Sequence, residues 1–129
     1  VFCIYADAPV CDIKSWPGGM YSGKGSPRAW QTCMKAHGVE SISVHGYENI
    51  PINTCIKVAE ADIPVIHVYG ESDKVVPHTE NTVLLATIFR KAGGTIKLIG
   101  KEGIGHQPHS LEDPKPILDF IFDSIKKQE

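Results

Sequence analysis

The chain has 129 residues, 42% hydrophobic and 22% charged, which suits one globular domain, or part of one, with enough apolar side chain to bury a core. A formal charge of -2 leaves no basic excess for nucleic acid, and no apolar run nears the roughly 18 residues of a membrane span, so neither partner is expected.

In chain order, VFCIYA (1–6) is an apolar and aromatic run closed by Asp7 and Pro9, which predicts a buried strand ending in a loop. The run carries no initiator Met, basic n-region or small-residue cleavage site, and a strand at the first residue lacks a lead-in. The expectation is therefore the C-terminal part of a longer polypeptide. Residues 7–26 hold Trp16 and a series of glycines with no period of 2 or 3.6, a long loop of the kind that is often functional.

Ser26 before Pro27 and Gly38 at the far end bracket a helix over 27–37, with serine as cap, proline at the first helical position and glycine at C′. Residues 39–53 read as irregular, 54–61 as a short helix, and IPVIHVYG (63–70) as a buried strand with Pro64 at its beginning. Apolar residues within 77–92, ended by Gly93-Gly94, predict a helix, and 95–99 another strand. After Asp113-Pro114, a stripe of Ile117, Leu118, Phe120, Ile121 and Ile125 predicts a last helix, with Lys126 and Lys127 at its negative end. The order strand, long insertion, strand, helix, strand, helix implies parallel strands with right-handed crossovers: an α/β architecture. There is no internal repeat and no dividing linker, so 1–129 reads as a single domain.

In an open parallel sheet the loops at the carboxyl ends of the strands share one edge, where ligands bind. Asp73 follows the second strand in GESDKVVP, and His106 follows the third in EGIGHQPHS. A carboxylate that accepts an imidazole N–H fixes the ring's tautomer and stabilises the imidazolium formed in acyl transfer, so the two residue types on one edge point to that chemistry.

The combination IPVIHVYGESDKVVP, helix, GG, strand, GIGHQPHSLEDP resembles the C-terminal half of an α/β-hydrolase, over most of residues 50–125. The resemblance implies the last three parallel strands of that sheet with flanking helices, the N-terminal half being absent. Strand 1–6 matches an earlier strand, 7–62 a cap-like insertion with short helices, and 63–129 the acid strand, helix, histidine strand-loop and C-terminal helix. It implies Asp73 as the acid and His106 as the base of a serine-type triad acting on carboxylic esters, with peptidase use as the lesser alternative. No G-x-S-x-G elbow occurs in the chain, so the nucleophile, serine or cysteine, and the oxyanion hole are expected upstream. The resemblance is to bacterial secreted or periplasmic hydrolases of glycan breakdown, and it implies that location and a sugar ester, as a small molecule or on a glycan, as substrate. No cofactor is implied.

Other residues keep two readings at this stage. Trp16, Tyr21 and Trp30 could stack on a sugar or simply pin the loop; Lys14, Lys24 and Arg28 could meet a carboxylate. Of these, Trp16 is the substrate-binding candidate. His109 is a second candidate for contact with substrate, as a pocket wall or a loop hydrogen bond. Asp7 or Asp12 could replace Asp73, since some hydrolases of this fold carry the acid after the earlier strand. His67, inside an apolar strand, reads as a core residue, and His37 and His45 as surface. Cys3, Cys11, Cys33 and Cys55 lack metal-ligand spacing, so no metal is expected, and sequence does not choose between thiols and bridges. A non-catalytic α/β binding module and a fragment paired with a separate chain carrying the N-terminal half are the competing functional readings.

Overall fold

In a computed structural model describing residues 1–129, three parallel strands lie in the order β1 (Ile4–Asp7), β2 (Val65–Gly70), β3 (Ile96–Lys101). Ile4 pairs with Val65 and Asp7 with Val68; Val65 pairs with Ile96 and Gly70 with Lys101. All three carboxyl ends therefore reach the same edge. β2 is central and buried on both faces, which is why its sequence is a continuous apolar run and not an alternating one. Around the sheet stand α1 (Pro27–His37), α2 (Pro51–Glu60), α3 (Thr82–Lys91) and α4 (Lys115–Lys126).

The period-2 alternation of β2 divides the core. Val65 joins Cys55 and Ala59 of α2 and Leu85, Ala86 and Phe89 of α3 on one face. On the other, Ile66 and Val68 meet Ile117 of α4, backed by Phe120 and Ile121. The buried set of α3, Thr82, Leu85, Ala86 and Phe89, follows helical spacing, and each large apolar chain so buried contributes roughly 2 kcal/mol. A third cluster of Ile13, Met34, Val44 and Ile50 ties the insertion to α1. No helix is long and apolar enough to cross a membrane.

α1 matches the residues predicted: Ser26 Oγ accepts from Ala29 N, and Gly38 takes the left-handed conformation at φ 66°. Several boundaries differ, each for a physical reason. β1 begins at Ile4, where Ile4 N donates to Pro64 O, because β2 offers no partner to residues 1–3. α2 starts at Pro51, three residues before the predicted 54: proline at the first helical position needs no N–H partner, but the cap residue is Ile50, which has no polar side chain to announce it. Within the stretch expected to be irregular, Ser41–Gly46 winds into a 3₁₀ turn that buries Val44. β3 runs two residues past the predicted end. The predicted helix start at 77 is the largest difference. His78–Glu80 is a separate 3₁₀ turn, and Asn81 breaks the helix at φ -126°, ψ -92°.

Candidate active site

The edge where the strands end carries two turns drawn tightly together. Ser72 N donates to Ile104 O at 2.9 Å and Glu71 N to Lys101 O at 3.1 Å. Gly70 makes this approach possible: a Cβ there would lie 2.1 Å from Gly105 O and 2.3 Å from Ile104 O, closer than any side chain tolerates. The turn after β2 then buries Asp73. Its Oδ1 accepts from Val75 N and Val76 N, both at 2.9 Å, which aims Oδ2 at the other turn.

His106 Nδ1 lies 2.8 Å from Asp73 Oδ2. The Asp73 side chain is 1% exposed and that of His106 29%, so the carboxylate sits behind the ring and the ring faces the opening. With Nδ1–H donated to Asp73, Nε2 is left as the acceptor, and it makes no hydrogen bond within the chain. No serine or cysteine of residues 1–129 hydrogen-bonds to it. The arrangement can orient an imidazole and stabilise its protonated form.

The cleft in front of His106, about 260 Å³, is lined by Asp7, Trp16, Val75, Val76, His106 and His109, among others. Trp16 also borders a wider cleft that holds Lys24 and Lys74 beside Asp73. The structure thus brings Trp16 and His109 to the candidate site. It takes Tyr21 and Trp30 elsewhere, because their polar tips find partners inside the insertion: Tyr21 Oη donates to Asp12 Oδ2 at 3.3 Å, and Trp30 Nε1 to Ser41 Oγ at 2.8 Å. Lys14 is paired with Asp12 at 3.1 Å, and Arg28 lines a separate groove along α1. Asp12, occupied by Lys14 and Tyr21, is not at the cleft. Asp7 is, but its nearest imidazole is His109, with Nδ1 3.8 Å from Oδ1.

His67 is buried between β2 and α3, 3.2 Å from Thr82 Oγ1, and loss of solvation pushes its pKa down to about 4. It is a neutral core residue. His37 and His45 are exposed, His37 against the Tyr47 hydroxyl at 2.8 Å. All four cysteines are free thiols; burial pushes Cys11 up to about 12, which leaves it without nucleophilic thiolate at neutral pH. No group of three or more His, Cys, Asp or Glu side chains is arranged to hold a metal ion.

The insertion is pinned beside this cleft by residues that sequence patterns do not single out. Asn81 Oδ1 accepts from Cys11 N at 2.8 Å and Asp12 N at 3.3 Å, while Nδ2 donates to Ser15 Oγ and Pro77 O, both at 2.9 Å. Glu80 takes the hydroxyls of Ser15 and Ser22 at 2.7 Å each. The one available signal was Asn81-Thr82 before an apolar helical run, a cap signature that also places the helix start at 82. Its side chain, however, serves the insertion and makes no hydrogen bond to its own helix.

No protein-family model matches the sequence, and no curated protein does. Among solved structures, the chain is similar to one described as a truncated form of carbohydrate esterase from gut microbiota. The two are 30% identical, the match covers 58% of this chain and 26% of that one, and the TM-score is 0.50. It is also similar to a variant of SOBER1 from Arabidopsis thaliana, at 21% identity over 54% of this chain and 36% of that one, with a TM-score of 0.44. The chain thus spans well under half the length of either neighbour. The parallel sheet with helices on both faces and the likeness to the carbohydrate esterase establish a hydrolase-like α/β fold.

Proposed function

We propose that this chain supplies the acid and the histidine of a serine-type α/β-hydrolase that cleaves carboxylic esters, carbohydrate esters being the favoured class. The observation that carries the proposal is the 2.8 Å contact from His106 Nδ1 to a buried Asp73, with Nε2 open at the carboxyl edge of the sheet. The similarity to a carbohydrate esterase supports the substrate class.

A serine outside residues 1–129, on the same polypeptide or a separate one, attacks the ester carbonyl. His106 Nε2 takes the serine proton and then delivers it to the leaving alcohol, with Asp73 holding the ring and its positive charge. Water then attacks the acyl carbonyl as His106 Nε2 takes its proton; the bond to the serine oxygen breaks, that oxygen regains the proton from His106, and the carboxylic acid leaves. Trp16 lines the cleft that receives the ester. Without the serine and its oxyanion donors, residues 1–129 alone hydrolyse no ester.

The test uses the natural full-length polypeptide and a fluorophosphonate probe, with adducts mapped by mass spectrometry. Labelling of a serine outside this segment, lost in His106→Ala, is the expected result. A folded protein that takes no label would favour the non-catalytic binding module.

A further inference from the structure

Asp7 and His109 form a second carboxylate–imidazole couple in the same cleft, outside the Asp73–His106 pair. Asp7 Oδ2 accepts from the Tyr5 hydroxyl at 3.1 Å and from Ser110 N–H. Oδ1, by contrast, is the one buried side-chain oxygen or nitrogen in the chain that lacks a hydrogen-bond partner. A desolvated carboxylate oxygen without a donor is costly, so the group facing it matters. That group is His109 Nδ1, 3.8 Å away, too long for a hydrogen bond and within reach of one after a small ring rotation. The Gln107 amide nitrogen lies 3.1 Å from His109 Nε2. When that amide donates, the proton of the neutral ring is left on Nδ1, the nitrogen that faces Asp7.

The backbone is bent to keep this arrangement. Ser110, whose N–H binds Asp7, sits at φ 62°, a left-handed conformation that a residue with a Cβ adopts only at a cost. Lys101 Nζ holds the same loop from the other side, donating to Pro108 O at 2.7 Å and Ser110 O at 2.8 Å. The His109 ring then meets the His106 ring edge to face, with centroids 4.8 Å apart and planes at 86°.

We propose that His109, facing Asp7 on a loop that Asp7 fastens through the Ser110 N–H, is a positioning residue for His106. A histidine with one hydrogen bond, at Nδ1, and a partly exposed ring can still swing about that bond. A second ring packed against it, tied to a different strand, removes the freedom and keeps Nε2 pointed into the cleft. The histidine loop is thus fastened at two points, to the turn after β2 through Asp73 and to β1 through Asp7. This inference rests on the hydrolytic role proposed for His106, but its structural part can be tested without any substrate.

In the full-length polypeptide, Asp7→Asn and His109→Ala are each expected to lower kcat about tenfold and to leave KM within about twofold, the pattern of misplacement and not of lost binding. The double variant falls no further than the worse single one, since both act through one link. His109→Phe, which restores a ring against His106, recovers part of the loss seen with alanine. Proton NMR of the His106 Nδ1–H bonded to Asp73 supplies the readout that a substrate-contact role would not move: a sharp downfield signal in the parent, broadened by faster exchange in Asp7→Asn and His109→Ala. An unchanged signal in both variants overturns the proposal, as does a rise in KM with kcat kept, which would make His109 a substrate contact. If the parent protein turns over no ester, the signal alone decides: broadening upholds the positioning role while the hydrolytic reading falls.

Discussion

Asp73 makes three hydrogen bonds with one carboxylate, and its two oxygens have different tasks. Oδ1 holds the turn through two backbone N–H groups; Oδ2 holds His106. Asp73→Asn therefore keeps the shape of the site while presenting an amide N–H to the imidazole, which forces the tautomer with its proton on Nε2. That tautomer cannot act as a base toward serine, so kcat in the full-length protein is expected to fall about 10⁴-fold, the scale seen when such a carboxylate is lost. Steady-state kinetics on an ester checks it, and the comparison with Asp7→Asn is decisive. If Asp7 were the acid, the larger loss would move to the Asp7 variant. His67 gives a prediction on stability. Its folded pKa, depressed to about 4, lies below the ordinary value near 6.5, so the unfolded chain binds the extra proton first as pH falls. The sign follows: stability is full above pH 6.5 and is lost through the window from about 6.5 to 4. Between pH 7 and pH 5 the loss should be about 2 kcal/mol by urea denaturation, and His67→Gln should flatten that dependence. That Asp73 and His106 share one edge was legible in the sequence because each lies in the turn after a strand that an apolar stretch marks. The grouping of Tyr5, Asp7 and Ser110 was not, because its hydrogen bonds join residues up to 105 positions apart and only the folded sheet brings them together.

Two elements position the site, the paired turns and the pinned insertion, and each can be broken separately. Gly70→Ala puts a methyl group into the carbonyls of Ile104 and Gly105, so the turns after β2 and β3 must part. Overpacking of this kind costs about 1–3 kcal/mol, and the shift is expected to lengthen the Asp73–His106 contact as well. Urea unfolding reads the first effect and the His106 Nδ1–H resonance the second. An alanine variant of parent stability with the signal intact would show that the glycine is not what lets the turns meet. Asn81→Ala acts on the insertion. It leaves the buried N–H of Cys11 without an acceptor and frees Ser15 Oγ, each lost partner costing roughly 1–3 kcal/mol. The penalty can be met locally by release of residues 8–25, so faster amide hydrogen exchange there, with α2 and α3 protected as before, is the expected signature. α1 could be placed to the residue because serine, proline and glycine mark both its ends. The insertion and the start of α3 could not, since their order depends on a polar network between Ser15, Ser22, Glu80 and Asn81 that has no local period.

At the scale of the whole molecule, the sheet is covered unevenly. β2 is enclosed on both faces, but β1 and β3 each pair only with β2, so the outer row of N–H and C=O groups on each has no strand partner; the apolar surface gathers at β1. Along β1 Val1, Phe2, Ile4 and Tyr5 are exposed, and an apolar groove of about 230 Å³ runs under Ile4 and Ala6 toward Cys11, Cys55 and Phe89. α4 adds exposed Leu118 and Phe122. Alternation separates the two faces, with Ile4 in register with Val65 on the α2 and α3 side and Tyr5 in register with Ile66 on the α4 side. An edge strand flanked by apolar surface is a template for pairing, and further strands of the proposed hydrolase are its natural occupants. The fold class was legible because order and period alone imply a parallel sheet; an exposed edge was expected from the strands that the resemblance leaves out, but its extent was not legible, since an apolar run looks the same whether both its sides are paired or one. The consequence can be measured on residues 1–129 by themselves. They are expected to associate with rising concentration in sedimentation velocity and to bind a hydrophobic dye, and Ile4→Lys should weaken both, because a charge on an edge strand opposes pairing. The Asp73–His106 contact lies beyond the other end of the strand, so its Nδ1–H resonance should persist in that variant. A chain that stays monomeric and dark to the dye would mean that the β1 edge is closed by its own neighbours and recruits no further strand.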